Sequence, residues 1–493
     1  MYDETFGTGS SVQTALAAAP PAHESHRLRG GMLGMVDIAA STMANIGPAM
    51  SFYFGFGFLA ATAGIASPLT IALAGVAVAL LGHMLAEFSR ALPSAGGFIT
   101  FVGRTFGATA GVTTALLTGL GYIIAMASVI AITGGFLSMT LERYLGVAVP
   151  WIWPTLVLTA AAVAMMVRGV AVSTKAAGLF FGVEILVMVV ISVVAIARHG
   201  AELSTAPFRP SHITNGFSGL AEGFPLAVFL FIGWENSAAL AEEADNPRRN
   251  VGRAVFLSVA TMSVSYMLFS YATVTGFGYD ASRLGASDIP FLTLARGTVG
   301  ALAFFAYFAG LTSTVGSLIA GVNSQARLIF NAGREGLLPS FIGHVHPVRR
   351  TPVYAIYTFV AVSLLLIGGW GLAHVIGGGA MDPVAFFAEA STMGTLLILL
   401  VYLTSSVALP FYYRRHRPQE FRMVRHLMLP ALGSAAIAVP LYYLVKPGQP
   451  APFDWFPYAA LILLLLSVAY AVILTRRDPT LGDRIGSIVA DHR

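Results

Sequence analysis

The chain has 493 residues, 56% of them hydrophobic and 10% charged, with a mean hydropathy of +0.76, whereas a soluble domain is about a quarter charged. Its apolar residues fall in long runs, several reaching the roughly 20 residues that a helix needs to cross about 30 Å of hydrocarbon, which indicates an all-α integral membrane protein and excludes a transmembrane barrel. Cysteine is absent, which excludes disulfides, thiol catalysis and cysteine-ligated metals, and the net charge of +5 follows from membrane orientation rather than from nucleic acid binding.

In chain order, residues 1–30 run through "QTALAAAPPAHESHRLRG" with no charged segment leading into a short apolar core, and are expected to form a disordered cytoplasmic tail. Charged, proline-rich and glycine-rich breaks then divide a helical bundle, 31–475, into twelve predicted spans: 33–60, 66–86, 108–141, 150–167, 177–197, 220–241, 252–278, 298–330, 353–373, 384–412, 428–445 and 456–475. Residues 476–493 form a C-terminal tail. With the N-terminus in the cytoplasm, 22 of the 28 lysines and arginines lie on inside segments, among them Arg248, Arg249, Arg349, Arg350, Arg414 and Arg415. Only Arg143, Arg198, Arg209, Arg283, Arg296 and Lys446 lie outside. This asymmetry predicts a multi-pass protein of the cytoplasmic (inner) membrane with both termini cytoplasmic. No loop is long enough to be a separate domain, so the bundle itself must carry the function.

Two spans contain features a plain helix avoids, and a broken helix within a membrane is tolerated only where protein or a water-filled cavity covers the freed backbone. In span 1, "STMANIGPAMSF" sets Asn45, Gly47 and Pro48 at mid-membrane. Proline lacks an N–H and clashes with the preceding turn, so the helix is expected to stop near Ile46 and restart with Pro48 at its first position. In span 6, Gly233, Trp234, Glu235 and Asn236 interrupt the apolar run. The two spans are five apart, the offset expected of two inverted repeats of five spans followed by two extra helices, with repeat one at about 33–200, repeat two at about 215–412 and the extra helices at 428–475. Interrupted helices at matching places in two halves point to a transporter's binding site. The N–H groups of Ala49, Met50 and Ser51 would attract a carboxylate, and the carbonyls of Ala44, Asn45 and Ile46 an ammonium or a cation.

Ionisable residues inside spans are costly and are candidate functional groups. Glu184, in "GLFFGVEILVMVVISVV" of span 5, and Glu235, beside the break of span 6, are the candidate proton-coupling residues. Ser313, Thr314 and Ser317 of span 8 are hydroxyls that could join span 1 carbonyls around a sodium ion.

Four segments resemble the amino acid-polyamine-organocation (APC) superfamily of secondary transporters. They are "AEFSRALPSAGGFITFVGRTFG" (86–107), "FIGWENSAALAEEADNPRRNVGRA" (231–254), "NSQARLIFNAGREGLLPSFIGHVHPVRRTP" (323–352), and "ASTMGTLL" with "YYRRHRPQEF" (390–397 and 412–421). Their order along about 350 residues is that of the family. The resemblance implies the LeuT-type five-plus-five inverted-repeat fold and alternating access, with substrate held between spans 1, 3, 6, 8 and 10. It implies an aromatic gate in the stretch holding Phe229 and Phe231, a site wall at Tyr122, and a link between the acidic position of Glu235 and pH. Where the family's amino acid transporters have G-A-G or G-S-G, span 1 has Pro48, Ala49 and Met50, and Glu184 falls where many proton-coupled relatives have lysine.

The reading is a permease for an amino acid, proton-coupled, with a small amine such as a polyamine or ethanolamine, or sodium-coupled or exchange transport, as the alternative. No cofactor and no metal is expected. The only lysines are Lys175 and Lys446, preceded by Thr174 and Val445, so the G-K-[ST] core of a phosphate-binding loop cannot form, which speaks against an ATP-driven pump. The eleven histidines are scattered without an H-E-x-x-H, which speaks against a metalloenzyme.

Overall fold

The computed structural model describes residues 30–485. The predicted tail therefore lies outside the described residues up to 29, as does the C-terminal tail from 486. Among the described residues the chain is helical throughout, with one isolated bridge between Leu33 and Ala244.

The helices follow in the order α1 (Met35–Ile46), α2 (Pro48–Ala63), α3 (Ser67–Ala91), α4 (Phe98–Phe106), α5 (Ala108–Leu145), α6 (Ile152–Met166), α7 (Val170–Arg198), α8 (Gly216–Phe229), α9 (Asn236–Ala239) and α10 (Pro247–Gly276). After α11 (Ala281–Gly285) and α12 (Pro290–Val299) come α13 (Phe304–Arg334), α14 (Val353–Ile376), α15 (Pro383–His416), α16 (Leu429–Val445), α17 (Phe456–Arg477) and α18 (Leu481–Arg484). Nine stretches among the described residues are long and apolar enough to cross a membrane. The first, Met35–Ala91, takes in α1, α2 and α3 together. The helix α6 has 15 residues and α8 has 14, so both fall short of a full crossing by length. The span expected at 220–241, with its interruption at Gly233 to Asn236, is α8, an irregular stretch at 230–235, and the single turn of α9.

Local chemistry sets the ends. Gly47 adopts φ 61°, its N–H returning to the carbonyls of Met43 and Ala44, and Pro48 opens the next helix at a position where no N–H is needed. Asp382 caps α15 through a 2.9 Å bond from the Val384 N–H. Lys175, where the sequence suggests a boundary, instead sits exposed in the second turn of α7, and the helix starts earlier at Val170 after Gly169.

The interior is built where small residues let helices approach. At the crossing of α5 and α15, a Cβ on Gly394 would lie 2.7 Å from the Gly121 carbonyl, a contact that only paired glycines permit. Nearby, α2 meets α5 and α15 through Phe54 against Phe136 and Phe387 and α13 through the Tyr53 hydroxyl on the Ala306 carbonyl, and the stretch after α8 meets α15 through Trp234 against Tyr402. By contrast α16 and α17 expose Leu432, Val439, Leu461 and Leu465, a face suited to lipid.

Candidate functional site

The two interruptions meet. Asn45, at the end of α1, donates from Nδ2 to the Gly233 carbonyl at 3.2 Å. Gly233 has φ 106°, and a Cβ there would stand 2.8 Å from that same nitrogen, so the crossing is open to glycine alone. Toward the cytoplasmic end predicted from sequence, Thr42 and Ser237 bond at 2.7 Å and Asn236 reaches Ser41 at 3.2 Å, which binds α1 and α9 as one unit.

Beside this crossing lies a cavity of about 500 Å³. Its polar wall includes Asn45, Ser51, Tyr122, Ser317 and Gln325, and its apolar wall includes Ile46, Met50, Met126, Phe229 and Phe387. The candidates Asn45, Ile46, Met50, Ser51, Tyr122, Phe229, Gly233 and Ser317 thus share one chamber. The others stand behind it. Phe231 turns away and packs edge-on against Tyr266 with centroids 5.4 Å apart, and Trp234 packs on Tyr402 at 5.3 Å. Phe229 forms a T-shaped pair with Phe387 at 6.1 Å on the wall shared with a second, more apolar cavity of about 680 Å³.

The backbone donors of α2 depart from the expectation that they face a ligand. The Ala49 N–H donates to Oε2 of Glu184 at 2.9 Å and the Met50 N–H to Oγ of Ser313 at 3.0 Å. The Ser51 N–H closes the first turn on the Gly47 carbonyl at 2.8 Å. The physical reason is that the positive end of a half-helix attracts the nearest anion, and α7 carries one in Glu184. The carbonyls are engaged as well: Ala44 accepts from Gly47, Asn45 from Ser317 at 2.8 Å, and Ile46 from the Ser51 hydroxyl at 2.7 Å. Thr314 bonds the carbonyl of Leu311 in its own helix at 3.0 Å, so of the three span 8 hydroxyls only Ser313 and Ser317 reach span 1.

Glu184 is fully buried, and its Oε1 has no hydrogen-bond partner. Glu235, also buried, accepts from the Tyr122 hydroxyl at 2.7 Å and from the Gly233 N–H at 3.1 Å. It lines a smaller chamber that shares Asn45, Tyr122 and Gln325 with the main cavity. Among the described residues, no lysine, arginine, aspartate or glutamate lines the main cavity itself. Nor is any group of three or more His, Asp or Glu among them arranged to hold a metal.

Gln325, Phe387, Ser391 and Thr395 are wall residues that the sequence did not single out. The last three recur every fourth residue in α15, one face of a helix, and two polar side chains on one stripe of an apolar span were the available signal. Glu389, a carboxyl within the predicted span 384–412 that the sequence did not single out either, stands outside the cavity lining; it is half-buried and accepts from the Trp370 indole at 2.6 Å.

A family model described as "Amino acid permease" matches residues 33–483. The chain belongs to the amino acid permease family. It is a membrane transporter and not an enzyme. The permease is 28% identical to "Uncharacterized amino acid permease YecA" of Bacillus subtilis, over 59% of this chain and 66% of that protein. It is 24% identical to "Branched-chain amino acid permease BcaP" of the same organism, over 79% of this chain and 82% of the relative. It is 26% identical to "Low-affinity putrescine importer PlaP" of Escherichia coli K12, over 82% and 86%.

Proposed function

We propose that this permease moves a small molecule bearing an ammonium group, an amino acid or an amine, across the inner membrane together with a proton by alternating access. The names of its relatives cover both substrate classes, branched-chain amino acids and putrescine. The observation that carries the reading is the meeting of two interrupted helices at one cavity, with a buried carboxyl, Glu184, bonded to the backbone of one of them.

In this reading α1 with α2 forms the first span, α6 the fourth and α8 with α9 the sixth, giving twelve. Repeat one is 33–200, repeat two 215–412, and the two extra helices 428–475, with both termini cytoplasmic. Ionised, Glu184 holds the start of α2 against α7 by a charge-assisted bond, which is about twice as strong as a neutral one. Protonated, it holds α2 less firmly and lets the α1–α9 unit and α2 move relative to α7. Proton uptake and helix movement are thereby one event.

Reconstituted into liposomes with an inside-alkaline gradient, the wild type should accumulate substrate. Glu184→Gln, which keeps the shape and loses the titration, should lose at least tenfold of that accumulation while still binding. Full gradient-driven accumulation by Glu184→Gln would remove Glu184 from the coupling role.

A further inference from the structure

The hydrogen bonds around the cavity run one way. Tyr122 donates to Glu235, Ser51 to the Ile46 carbonyl and Ser317 to the Asn45 carbonyl. Ser128 donates to the Ala125 carbonyl at 2.6 Å and Ser391 to that of Ala388 at 3.2 Å, and the Asn45 amide donates to Gly233. Each hydroxyl here commits its one hydrogen to the protein, so what it can still offer the cavity is an acceptor lone pair, while the Asn45 amide commits one of its two hydrogens and keeps its own oxygen as an acceptor. The backbone at the two breaks adds no donor: Pro48 has none, the N–H groups of Ala49, Met50 and Ser51 are engaged, and that of Gly233 is on Glu235. Independently, Oε1 of Gln325, a wall residue 7% exposed, is buried without a partner.

A carboxylate entering this chamber would lose its water and find no positive charge and no open backbone donor. Burying an ionised carboxylate without a partner is strongly unfavourable. An ammonium carries three donors and no acceptor, which matches the hydroxyl oxygens of this wall and the unpartnered Oε1 of Gln325. The chamber is also graded. It joins the small polar chamber of Glu235 through Asn45, Tyr122 and Gln325, and it meets the apolar cavity at Phe229 and Phe387.

Resting on the transporter reading above, we infer that the substrate is a primary amine carrying one apolar group and no carboxylate. The ammonium is held by Gln325, Asn45 and the neighbouring hydroxyl oxygens, and the apolar group lies toward Phe229 and Phe387. Glu184 supplies from within the protein the carboxylate that an amino acid would bring to α2.

The test is thermal unfolding of the purified full-length permease with matched pairs, phenethylamine against phenylalanine and isoamylamine against leucine, with putrescine as the diamine, followed by uptake into liposomes. Each apolar amine should raise the melting temperature and bind at least tenfold more tightly than its parent amino acid. Gln325→Leu should weaken amine binding at least tenfold while melting normally without ligand, and Gln325→Glu, which keeps the acceptor, should retain it. Phenylalanine or leucine binding as tightly as its amine overturns the inference, and putrescine binding as tightly as the apolar amines overturns its apolar half. Uptake of leucine without uptake of amines also overturns it while leaving the transporter reading in place. Absence of uptake for every compound removes both.

Discussion

Arg327 is among the largest fully buried side chains, and its charge is matched by one residue. Nε and an Nη of the guanidinium meet the two oxygens of Glu243 at 2.5 and 3.1 Å, with both side chains almost wholly inaccessible. The Glu243 carbonyl accepts from the N–H groups of Met32 and Leu33, so the pair fastens α13, the segment after α9 and the approach to α1 at one point. Losing one partner strands a buried charge at a cost of roughly 3–5 kcal/mol, whereas replacing both with apolar groups is often neutral. Arg327→Met should therefore lower the unfolding temperature markedly. Arg327→Met combined with Glu243→Leu should recover most of the loss, and a double variant as unstable as the single would mean that the pair is not acting as a pair. Transport should respond differently from stability, because the recovered double variant lacks the polar fastening between α13 and the segment after α9.

At the scale of the elements, the crossing of the two interruptions depends on Gly233. Its φ of 106°, together with the 2.8 Å that would separate an added Cβ from Asn45 Nδ2, means that Gly233→Ala both strains the backbone, by roughly 1–3 kcal/mol, and displaces Asn45 from the cavity wall. The variant should express and insert, since the long helices do not depend on it, yet lose at least tenfold of its uptake. Uptake within twofold of wild type would show that the crossing tolerates separation. The break in span 1 was legible because proline acts on its own backbone: the stop near Ile46 and the restart at Pro48 follow from "NIGPAM", and the left-handed Gly47 between them is what the structure adds. The choice between Phe229 and Phe231 was not legible. Phe229 is the last residue of α8 and Phe231 falls in the irregular stretch that follows, so which of them faces the cavity is set by the course of the backbone after the helix ends, and that course is fixed by tertiary contacts. The destination of the Ala49 and Met50 donors was hidden for a similar reason, since Glu184 and Ser313 are 135 and 263 residues distant and their convergence is tertiary. The short single turn of α9 reflects residues 240–246, which form turns and hydrogen-bond to the segment before α1 instead of extending a span.

For the whole molecule, orientation rests on charge alone, and it decides which end of the cavity system opens to which side. Segments adjoining one end of the predicted spans hold 22 of the 28 basic residues, and short loops rich in lysine and arginine stay in the cytoplasm. The same end carries the fastenings between α1, α9 and α13 through Thr42, Ser237, Glu243 and Arg327. The Phe229–Phe387 pair lies beyond the crossing, toward the other end. In the proposed orientation the polar fastenings close the cytoplasmic side, and the aromatic pair stands between the cavity and the outside. The absence of cysteine makes this directly measurable. Ser211→Cys, exposed between α7 and α8, and Ser340→Cys, exposed between α13 and α14, each introduce a single thiol on opposite sides. A membrane-impermeant maleimide applied to intact cells should label Ser211→Cys and leave Ser340→Cys unlabelled until the membrane is permeabilised. The reverse pattern would invert the molecule, making the aromatic pair an inner barrier and the α1–α9 unit an outer one, with the direction of substrate entry reversed accordingly.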